Sequence, residues 1–263
     1  KLHKSKDSQN NQSSSYRRLV LDEICANFFV LSENRKKIRM RKKISKVFSL
    51  DESNKVLNNL SFKLTKSQSM VLKDVNRDLV SSTRMFRIIQ GDVGSGKTIV
   101  SFLSIANVIE SKHQCALMAP TEILARQHYE LAKKVFSKND FKIKFLTGKT
   151  EPNKKKKIID DLEKGNIDLI IGTHSLFQKK INFKKLGLAV IDEQHKFGVK
   201  QRSDLAIKGG GNCDVLLMSA TPIPRTMMMS LYGDMDVSKI TEKPVKRKKI
   251  ITLSKPESKT NEL

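Results

Sequence analysis

IIQGDVGSGKT, residues 88–98, joins an apolar run to the pattern GxxxxGK[ST]. The glycines of this pattern let the backbone curl so that successive amide N–H groups point at a phosphate. The apolar sequence TIVSFLSIANVIE that follows is helix-like, and it places the positive end of a helix dipole at the same point. A strand, a glycine-rich turn and a helix in this order predict a P-loop in an α/β domain.

The P-loop predicts roles for individual side chains. Lys97 would reach the β and γ phosphates of a nucleotide, and the Thr98 hydroxyl would ligate Mg²⁺ beside them. The pattern alone does not separate kinases, GTPases and motor ATPases. The predicted nucleotide-binding residues of the loop are Gly91, Asp92, Val93, Gly94, Ser95, Gly96, Lys97 and Thr98.

Short apolar runs recur along the rest of the chain. They are bounded by polar turns and separated by helical patterns, which is typical of parallel strands covered on both faces. The predicted strands are 86–90, 116–118, 143–146, 169–171, 188–191 and 215–218. Alternation of strand and helix predicts a mostly parallel sheet flanked by helices, with the chemistry where strands end in loops.

VIDEQHKFG, residues 190–198, places polar groups directly behind one of these runs. Asp192 lies at the predicted strand end, where an acid helps to hold magnesium. Glu193 can polarise an attacking water, which suits a hydrolase rather than a kinase. Gln194 and His195 lie one step beyond the acids and are predicted to couple nucleotide state to another surface.

The segment LLMSATPIPRTMMM, residues 216–229, follows the last predicted strand. Ser219 and Thr221 bracket Ala220, and their hydroxyls could bond to His195 or Asp192 across adjacent strands. In isolation, an ordinary Ser/Thr-rich turn before Pro222 is the preferred interpretation. Together with the P-loop and the acids, it predicts a relay between the nucleotide and a second substrate.

Charge and composition indicate the class of partner. The 263 residues include 51 Lys and Arg against 27 Asp and Glu, a formal net charge of +24. Polyanions are therefore the first partners to consider, although a lysine-rich, well-solvated surface gives the same balance. No apolar run approaches the roughly 20 residues of a membrane span, so we expect no membrane partner.

Cysteines and histidines are scattered. Cys25, Cys115 and Cys213 form no CxxC pair and have no histidine cluster nearby, which predicts neither a zinc site nor a disulfide framework and fits a reducing compartment. His3, His113 and His128 are interpreted as surface or packing residues rather than ligands.

Basic segments flank the predicted sheet. The spacing of apolar residues predicts a long amphipathic helix from Tyr16 to about Val47 with a basic end. Packing of its apolar stripe is favoured over a strut that also touches phosphate. Residues 154–157 are interpreted as a solvated face, whereas 246–249 fit solvent or a DNA cleft equally well. The absence of Trp and the 6% aromatic content argue against a stacking platform for single strands.

Six segments follow one another along the chain as a set of motifs: GDVGSGKT, MAPTEILARQH, LTGK, IIGTHSLFQ, VIDEQHKFGVKQR and MSATPIPRTM. In this order they resemble the motifs of superfamily 2 helicases, in particular the RecG family of branched-DNA helicases. YRRLVLDEICANFFVLSENRKK is similar to that family's helix between wedge and motor, and LSFKLTKSQ to its segment ahead of the P-loop. The resemblance covers almost the whole chain, with Lys196 where the family usually has arginine. It implies a RecA-like P-loop NTPase domain preceded by the long basic helix.

The resemblance also implies site residues. ATP and Mg²⁺ are the implied cofactors, with Gln68 at the adenine and Thr98 and Asp192 at the metal. The implied catalytic residues are Lys97, Asp192, Glu193, Gln194 and His195, and the coupling residues are Ser219, Ala220 and Thr221. The implied DNA-facing residues are Pro120, Thr121, Glu122, Thr147, Gly148, Gly172, Thr173 and His174.

Domain organisation follows from the same resemblance. We expect a connector from a missing wedge domain at 1–15, a helical linker at 16–60, motor domain 1 at 61–245, and the start of a truncated second motor domain at 246–263. Because the second motor domain of the family supplies arginines to the ATP site, a fragment without it is expected to be nearly inactive.

The expected function is ATP-dependent unwinding or translocation on branched or duplex DNA, including fork reversal and branch migration in recombination and repair. A monomer in a bacterial cytoplasm is expected. Alternatives are a duplex translocase of the transcription-repair coupling or primosomal type, a non-catalytic basic nucleic-acid-binding module, and a small-molecule kinase, which Glu193 opposes.

Overall fold

The computed structural model describes residues 14–40, 43–178, 180–192, 213–221 and 235–242. Its helices are α1 (Ser14–Met40), α2 (Asp51–Asn59), α3 (Lys66–Val80), α4 (Lys97–Glu110), α5 (Glu122–Val135) and α6 (Pro152–Lys164). Its strands are β1 (Phe86–Gly91), β2 (Gln114–Met118), β3 (Ile143–Leu146), β4 (Leu169–Gly172), β5 (Leu186–Asp192), β6 (Asp214–Ser219) and β7 (Asp236–Ile240). A short 3-10 helix, His174–Phe177, follows β4.

The strands form one sheet in the order β3-β4-β2-β5-β6-β1-β7, and each described pair is parallel. This confirms the predicted α/β fold, and all six predicted runs lie within strands. The sequence did not predict β7, which lies at the sheet edge and alternates buried and exposed residues. Since the strands run the same way, their carboxyl ends meet at one edge, where a doubly wound fold carries its functional residues.

The sheet is covered on both faces. One apolar cluster contains Ile89 and Leu117 together with residues of α2, α3, α4 and α5. The other contains Ile88, Met118 and Leu162 of α6. Neighbouring strand residues thus point to opposite cores, as the two-residue period of a strand requires. Burial of each such side chain contributes about 1.5–3 kcal/mol, which explains why the strands are continuous apolar runs.

Helix α4 runs directly behind the P-loop and is the most buried helix that the structure describes. Every residue from 99 to 108 is completely or almost completely buried, and the helix carries no charge between Lys97 and Glu110. A helix that is apolar on all sides needs neighbours on all sides. Helices α2 and α3 and the sheet supply them. The loop ahead of α4 is therefore held on a rigid support.

Residues 43–49 correct the predicted helix, because they are extended instead of continuing α1 to about Val47. The backbone N–H groups of Lys43 and Lys46 donate to the carbonyl groups of Ser82 and Leu79. Both ammonium groups are buried against the Asp214 carboxylate at the start of β6, at 2.7 Å for Lys43 and 2.5 Å for Lys46. If residues 43–49 were helical, the N–H groups of Lys43 and Lys46 would lose these bonds to Ser82 and Leu79. The extended conformation is therefore favoured. We call residues 43–49 the strap.

Helix α1 itself is present over most of its predicted length. The predicted stripe residues Leu21, Ile24 and Phe28 are 55%, 46% and 40% exposed. In the described part of the chain this stripe is thus exposed, which differs from the predicted packing. Among the described helices, none has the length and apolar content needed to cross a membrane.

Candidate functional site

The P-loop follows β1 at the carboxyl edge of the sheet. Gly94 and Gly96 have φ angles of 75° and 92°, in the left-handed region that glycine adopts without strain. Lys97 Nζ donates to the carbonyl oxygens of Gly91 at 2.6 Å and Asp92 at 3.0 Å, so its ammonium group is folded over the loop. Among the described residues, the Ser95 hydroxyl is buried without a hydrogen-bond partner.

These features fit a nucleotide phosphate. The loop opens onto the N-terminus of α4, where unsatisfied N–H groups and the helix dipole attract anions. The buried Ser95 Oγ and the Lys97 ammonium add two donors. Thr98, in the first turn of α4, is half-buried beside them. The loop therefore offers donors that suit a phosphate, and its assignment as the nucleotide site stays a prediction.

Gln68 lies against the P-loop. Its Oε1 accepts from the Thr65 N–H at 2.9 Å, which closes a capping box at the start of α3. Its Nε2 donates to the Ser95 carbonyl at 2.7 Å, and the side chain is 1% exposed. A Cβ on Gly96 would meet this Nε2 at 2.2 Å, so the loop needs glycine there for close approach as well as for its φ angle. The adenine contact of Gln68 stays a prediction.

Three neighbouring strands carry the predicted nucleotide and coupling residues. β5, β6 and β1 are adjacent, with Asp192 ending β5, Ser219 ending β6 and Gly91 ending β1. The hydroxyls of Ser219 and Thr221 lie 3.0 Å apart, and the Thr221 carbonyl accepts from Gln90 Nε2 at 3.1 Å. Ala220 lies between them. We call residues 91–98, 192 and 219–221 the P-loop group.

The predicted DNA-facing residues follow β2, β4 and the edge strand β3. Residues 120–122 follow β2, 147–148 follow β3, and 172–174 end or follow β4. The Thr121 hydroxyl accepts from Leu124 N–H at 3.3 Å and so caps α5. Thr147 and Thr173 are buried, whereas Thr121 and His174 are exposed. We call residues 120–122, 147–148 and 172–174 the β2–β4 group.

The two groups meet at the boundary between β2 and β5. Met118 is opposite Ile191 in the register of these strands, so Asp192 lies one residue from the turn that leads into 120–122. The residues predicted to bind nucleotide and those predicted to face DNA therefore lie side by side at one edge of the sheet.

His128 is a site residue that the sequence interpretation missed. It was interpreted as a surface or packing residue, yet its Nε2 lies 2.7 Å from Asp192 Oδ2. Both side chains are largely buried, at 10% and 13% exposure. The signal available was its spacing, because His128 lies seven residues after Thr121 and so on the same face of α5.

Some predicted residues lie outside the described ones. They are Glu193, Gln194, His195, Lys196 and the basic segment 246–249, together with residues 1–13 of the connector predicted at 1–15 and the predicted second domain. Residues 14 and 15 of that connector belong to α1. Their roles stay predictions. By contrast, the solvated face predicted at 154–157 is confirmed, because these lysines lie on α6 and are exposed or half-buried.

Residues 65–230 match the family described as DEAD/DEAH box helicase. The chain belongs to this helicase family. Within it, the chain is 42% identical to ATP-dependent DNA helicase RecG of Aquifex aeolicus over 272 residues, covering 100% of the chain and 34% of the relative. It is 44% identical to RecG of Thermotoga maritima over 250 residues, covering 94% of the chain and 31% of the relative. The resemblance to RecG helicases is confirmed, although the chain spans only about a third of these relatives.

Solved structures agree with this assignment. The helicase chain matches a structure of RecG bound to a three-way DNA junction with a TM-score of 0.83 and 39% identity, covering 94% of this chain and 33% of that one. It also matches the DEAD-box helicase Mss116 bound to ssRNA, with a TM-score of 0.56 and 22% identity over 73% of this chain and 43% of that one. The second likeness concerns the fold alone. The predicted RecA-like fold is confirmed.

Proposed function

We propose that this chain is the ATP-binding half of a DNA helicase motor that acts on branched DNA. The observation that carries the proposal is the division of one sheet edge into the P-loop group and the adjoining β2–β4 group. A motor needs its nucleotide and its track to touch one rigid element, and the carboxyl edge of this sheet supplies it. The likeness to RecG supports branched DNA as the track.

Binding of the nucleotide would depend on the P-loop group. The loop N–H groups and Ser95 Oγ would hold the phosphates, and Lys97 would exchange its loop carbonyls for the β and γ phosphate oxygens. Thr98 and Asp192 would ligate Mg²⁺, which when bound neutralises charge on the phosphates. Gln68 is placed to report adenine binding to the loop, because its amide already bonds to Ser95.

Hydrolysis would use an in-line attack by water on the γ phosphate. Glu193 is the proposed base that orients this water, and Lys97 would stabilise the charge that develops. The resemblance to RecG adds arginines from a second motor domain, which in related phosphoryl-transfer enzymes contribute factors of about 10³ to 10⁵. We therefore propose that this chain alone hydrolyses ATP very slowly.

Contact with DNA would fall to the β2–β4 group. Exposed Thr121 and His174 offer polar groups to phosphates, which position a duplex without reading its sequence. The net charge of +24 provides the long-range attraction. Ser219 and Thr221, between the strands that carry the P-loop and Asp192, would pass nucleotide state to this surface.

Unwinding of a labelled model fork by the complete protein tests the proposal. We expect the wild type to release a strand in the presence of ATP and Mg²⁺, and Lys97→Ala and Glu193→Gln to abolish release while DNA binding persists. Retained unwinding by either variant would contradict the proposal. Strong DNA binding without any unwinding by the wild type would favour a non-catalytic nucleic-acid-binding module instead.

A further inference from the structure

Helix α5 joins the two halves of the proposed site. Its N-cap, Thr121, belongs to the β2–β4 group, and its second turn carries His128, which meets Asp192 of the P-loop group. Seven residues in a helix span about 10 Å and return to the same face. One rigid element therefore touches both groups directly.

The hydrogen bond between His128 and Asp192 has a defined direction. An ionised carboxylate only accepts, so in the tautomer with the proton on Nε2, His128 donates to Asp192 Oδ2 over 2.7 Å. Both groups are mostly shielded from water, so this bond limits the orientations open to the carboxylate.

Helix α5 is fixed well enough to transmit a displacement. Ala125 and Ala132 are fully buried, and the helix packs on β3 and β4. On its outer side, the Arg126 guanidinium lies 5.1 Å from the centroid of the Phe145 ring, and Lys149 pairs with Glu122 at 3.7 Å. A shift of the N-terminus of α5 would therefore reach His128, seven residues along the same packed helix.

We propose that His128 is a positioning residue that couples DNA contact at the start of α5 to the Mg²⁺-binding acid Asp192. The proposal rests on the proposed function, since it presumes that DNA meets 120–122 and that Asp192 holds the metal. DNA binding would move α5, His128 would reorient the Asp192 carboxylate, and the affinity for the Mg²⁺–nucleotide complex would change. By thermodynamic linkage, the nucleotide would change DNA affinity by the same factor.

Equilibrium binding of a fluorescent ADP analogue to the complete protein tests this without turnover. Affinity is measured with and without fork DNA, each in Mg²⁺ and in EDTA. For the wild type in Mg²⁺ we expect DNA to change the affinity by a factor on the order of 10. For His128→Leu we expect that factor to fall to about 1, with unchanged affinity in EDTA, because the P-loop contacts need no carboxylate.

Two further variants separate positioning from a structural role. His128→Gln keeps an Nε–H donor at a similar reach and should restore most of the DNA effect. Glu130→Gln alters an exposed residue of α5 and should behave like the wild type. Urea unfolding of each variant shows whether the fold is intact.

Each result decides one point. A full DNA effect in folded His128→Leu would overturn the coupling role of His128. Loss of the effect in folded His128→Gln as well as His128→Leu would overturn the hydrogen bond as its cause. If His128→Leu does not fold, His128→Ala, which also lacks the donor, takes its place and is interpreted in the same way. A wild type that binds nucleotide but shows no DNA effect in Mg²⁺ overturns the coupling proposal, whereas loss of fork unwinding by the wild type is the result that contradicts the proposed function.

Discussion

At the residue scale, two glycines of the β2–β4 group have different surroundings. A Cβ on Gly172 would lie 1.9 Å from the Leu146 carbonyl oxygen of the neighbouring strand, whereas a Cβ on Gly148 meets nothing within 4 Å in the described part of the chain. Gly172 is thus a packing requirement of the β3–β4 pair, whatever its part in DNA binding.

We expect Gly172→Ala to destabilise the fold by about 2–3 kcal/mol, because β3 and β4 must separate to admit the methyl group. Gly148→Ala is the matched control and should change stability by less than about 0.5 kcal/mol. Urea unfolding followed by circular dichroism measures both. Equal stability of the two variants would contradict the close approach at Gly172.

His113 gives a second residue-scale prediction. Burial, with the nearby charges of Lys185 and Lys46, lowers the pKa of His113 from 6.5 to about 4. Its folded-state pKa lies below the unfolded value, so between pH 6.5 and pH 4 the unfolded chain binds the extra proton. Stability should therefore fall as pH falls through this window, by up to about 3 kcal/mol.

Removal of the imidazole tests this dependence. In His113→Gln the loss of stability between pH 7 and pH 4.5 should be smaller than in the wild type, as measured by the urea midpoint at each pH. His174→Gln, which changes an exposed histidine, serves as the control and should follow the wild type. Identical pH profiles for wild type and His113→Gln would rule out His113 as a source of acid sensitivity.

Sequence reasoning reached the residues that a local pattern specifies. The P-loop was predictable because consecutive residues form its pattern. The position of Asp192 at a strand end was predictable because this residue directly follows an apolar run. His128 was not, since its partner lies 64 positions away and only the sheet order brings them together. The contact of Asp214 with Lys43 and Lys46 was not predicted for the same reason.

At the element scale, the strap is attached to the sheet by a buried ionic cluster. Lys43, Lys46 and Asp214 have fully buried side chains, and Asp214 also accepts from the Met85 N–H at 2.7 Å. Burial lowers the pKa of Lys43, and the charge of Asp214 opposes this. The cluster lies at the amino end of β6, opposite the P-loop edge.

We expect Asp214→Asn to destabilise the fold by about 3–5 kcal/mol, because two ammonium groups then lack a buried counter-charge. Adding Lys46→Met to Asp214→Asn should recover part of the loss, since one uncompensated charge is removed. Lys154→Met breaks an exposed pair with Glu151 and should have little effect. Urea unfolding measures all three, and a neutral Asp214→Asn would contradict the ionic attachment.

Elements were predictable where burial is two-sided. Five of the six predicted runs are interior strands, and they are apolar because both faces of the sheet are covered there. The sixth, β3, lies at an edge with Lys144 exposed, and its three apolar residues were enough to predict it. β7 pairs with one neighbouring strand, and its alternation of buried and exposed residues is too short to distinguish a strand from a loop in the sequence. It was therefore not predicted. The helix boundary failed because the lysines of the strap resemble the solvated end of an amphipathic helix, although Lys43 and Lys46 are buried.

At the scale of the whole molecule, one parallel sheet brings both groups of predicted residues to a single edge. The order of the strands places β2, β3 and β4 on one side of that edge and β5, β6 and β1 on the other. The order of the strands in the sheet differs from their order in the sequence, so this arrangement follows from the topology and cannot be read from the sequence. Because the two groups adjoin at this edge, we expect ATP hydrolysis to depend on DNA.

ATP hydrolysis by the complete protein, on a model fork and on linear duplex of equal length, tests that claim most directly. We expect both DNAs to stimulate hydrolysis, the fork more strongly, and Lys97→Ala to remove the stimulated rate while DNA binding is retained. Tight binding of both DNAs by the wild type with no hydrolysis above background would contradict the motor assignment and leave a basic nucleic-acid-binding module.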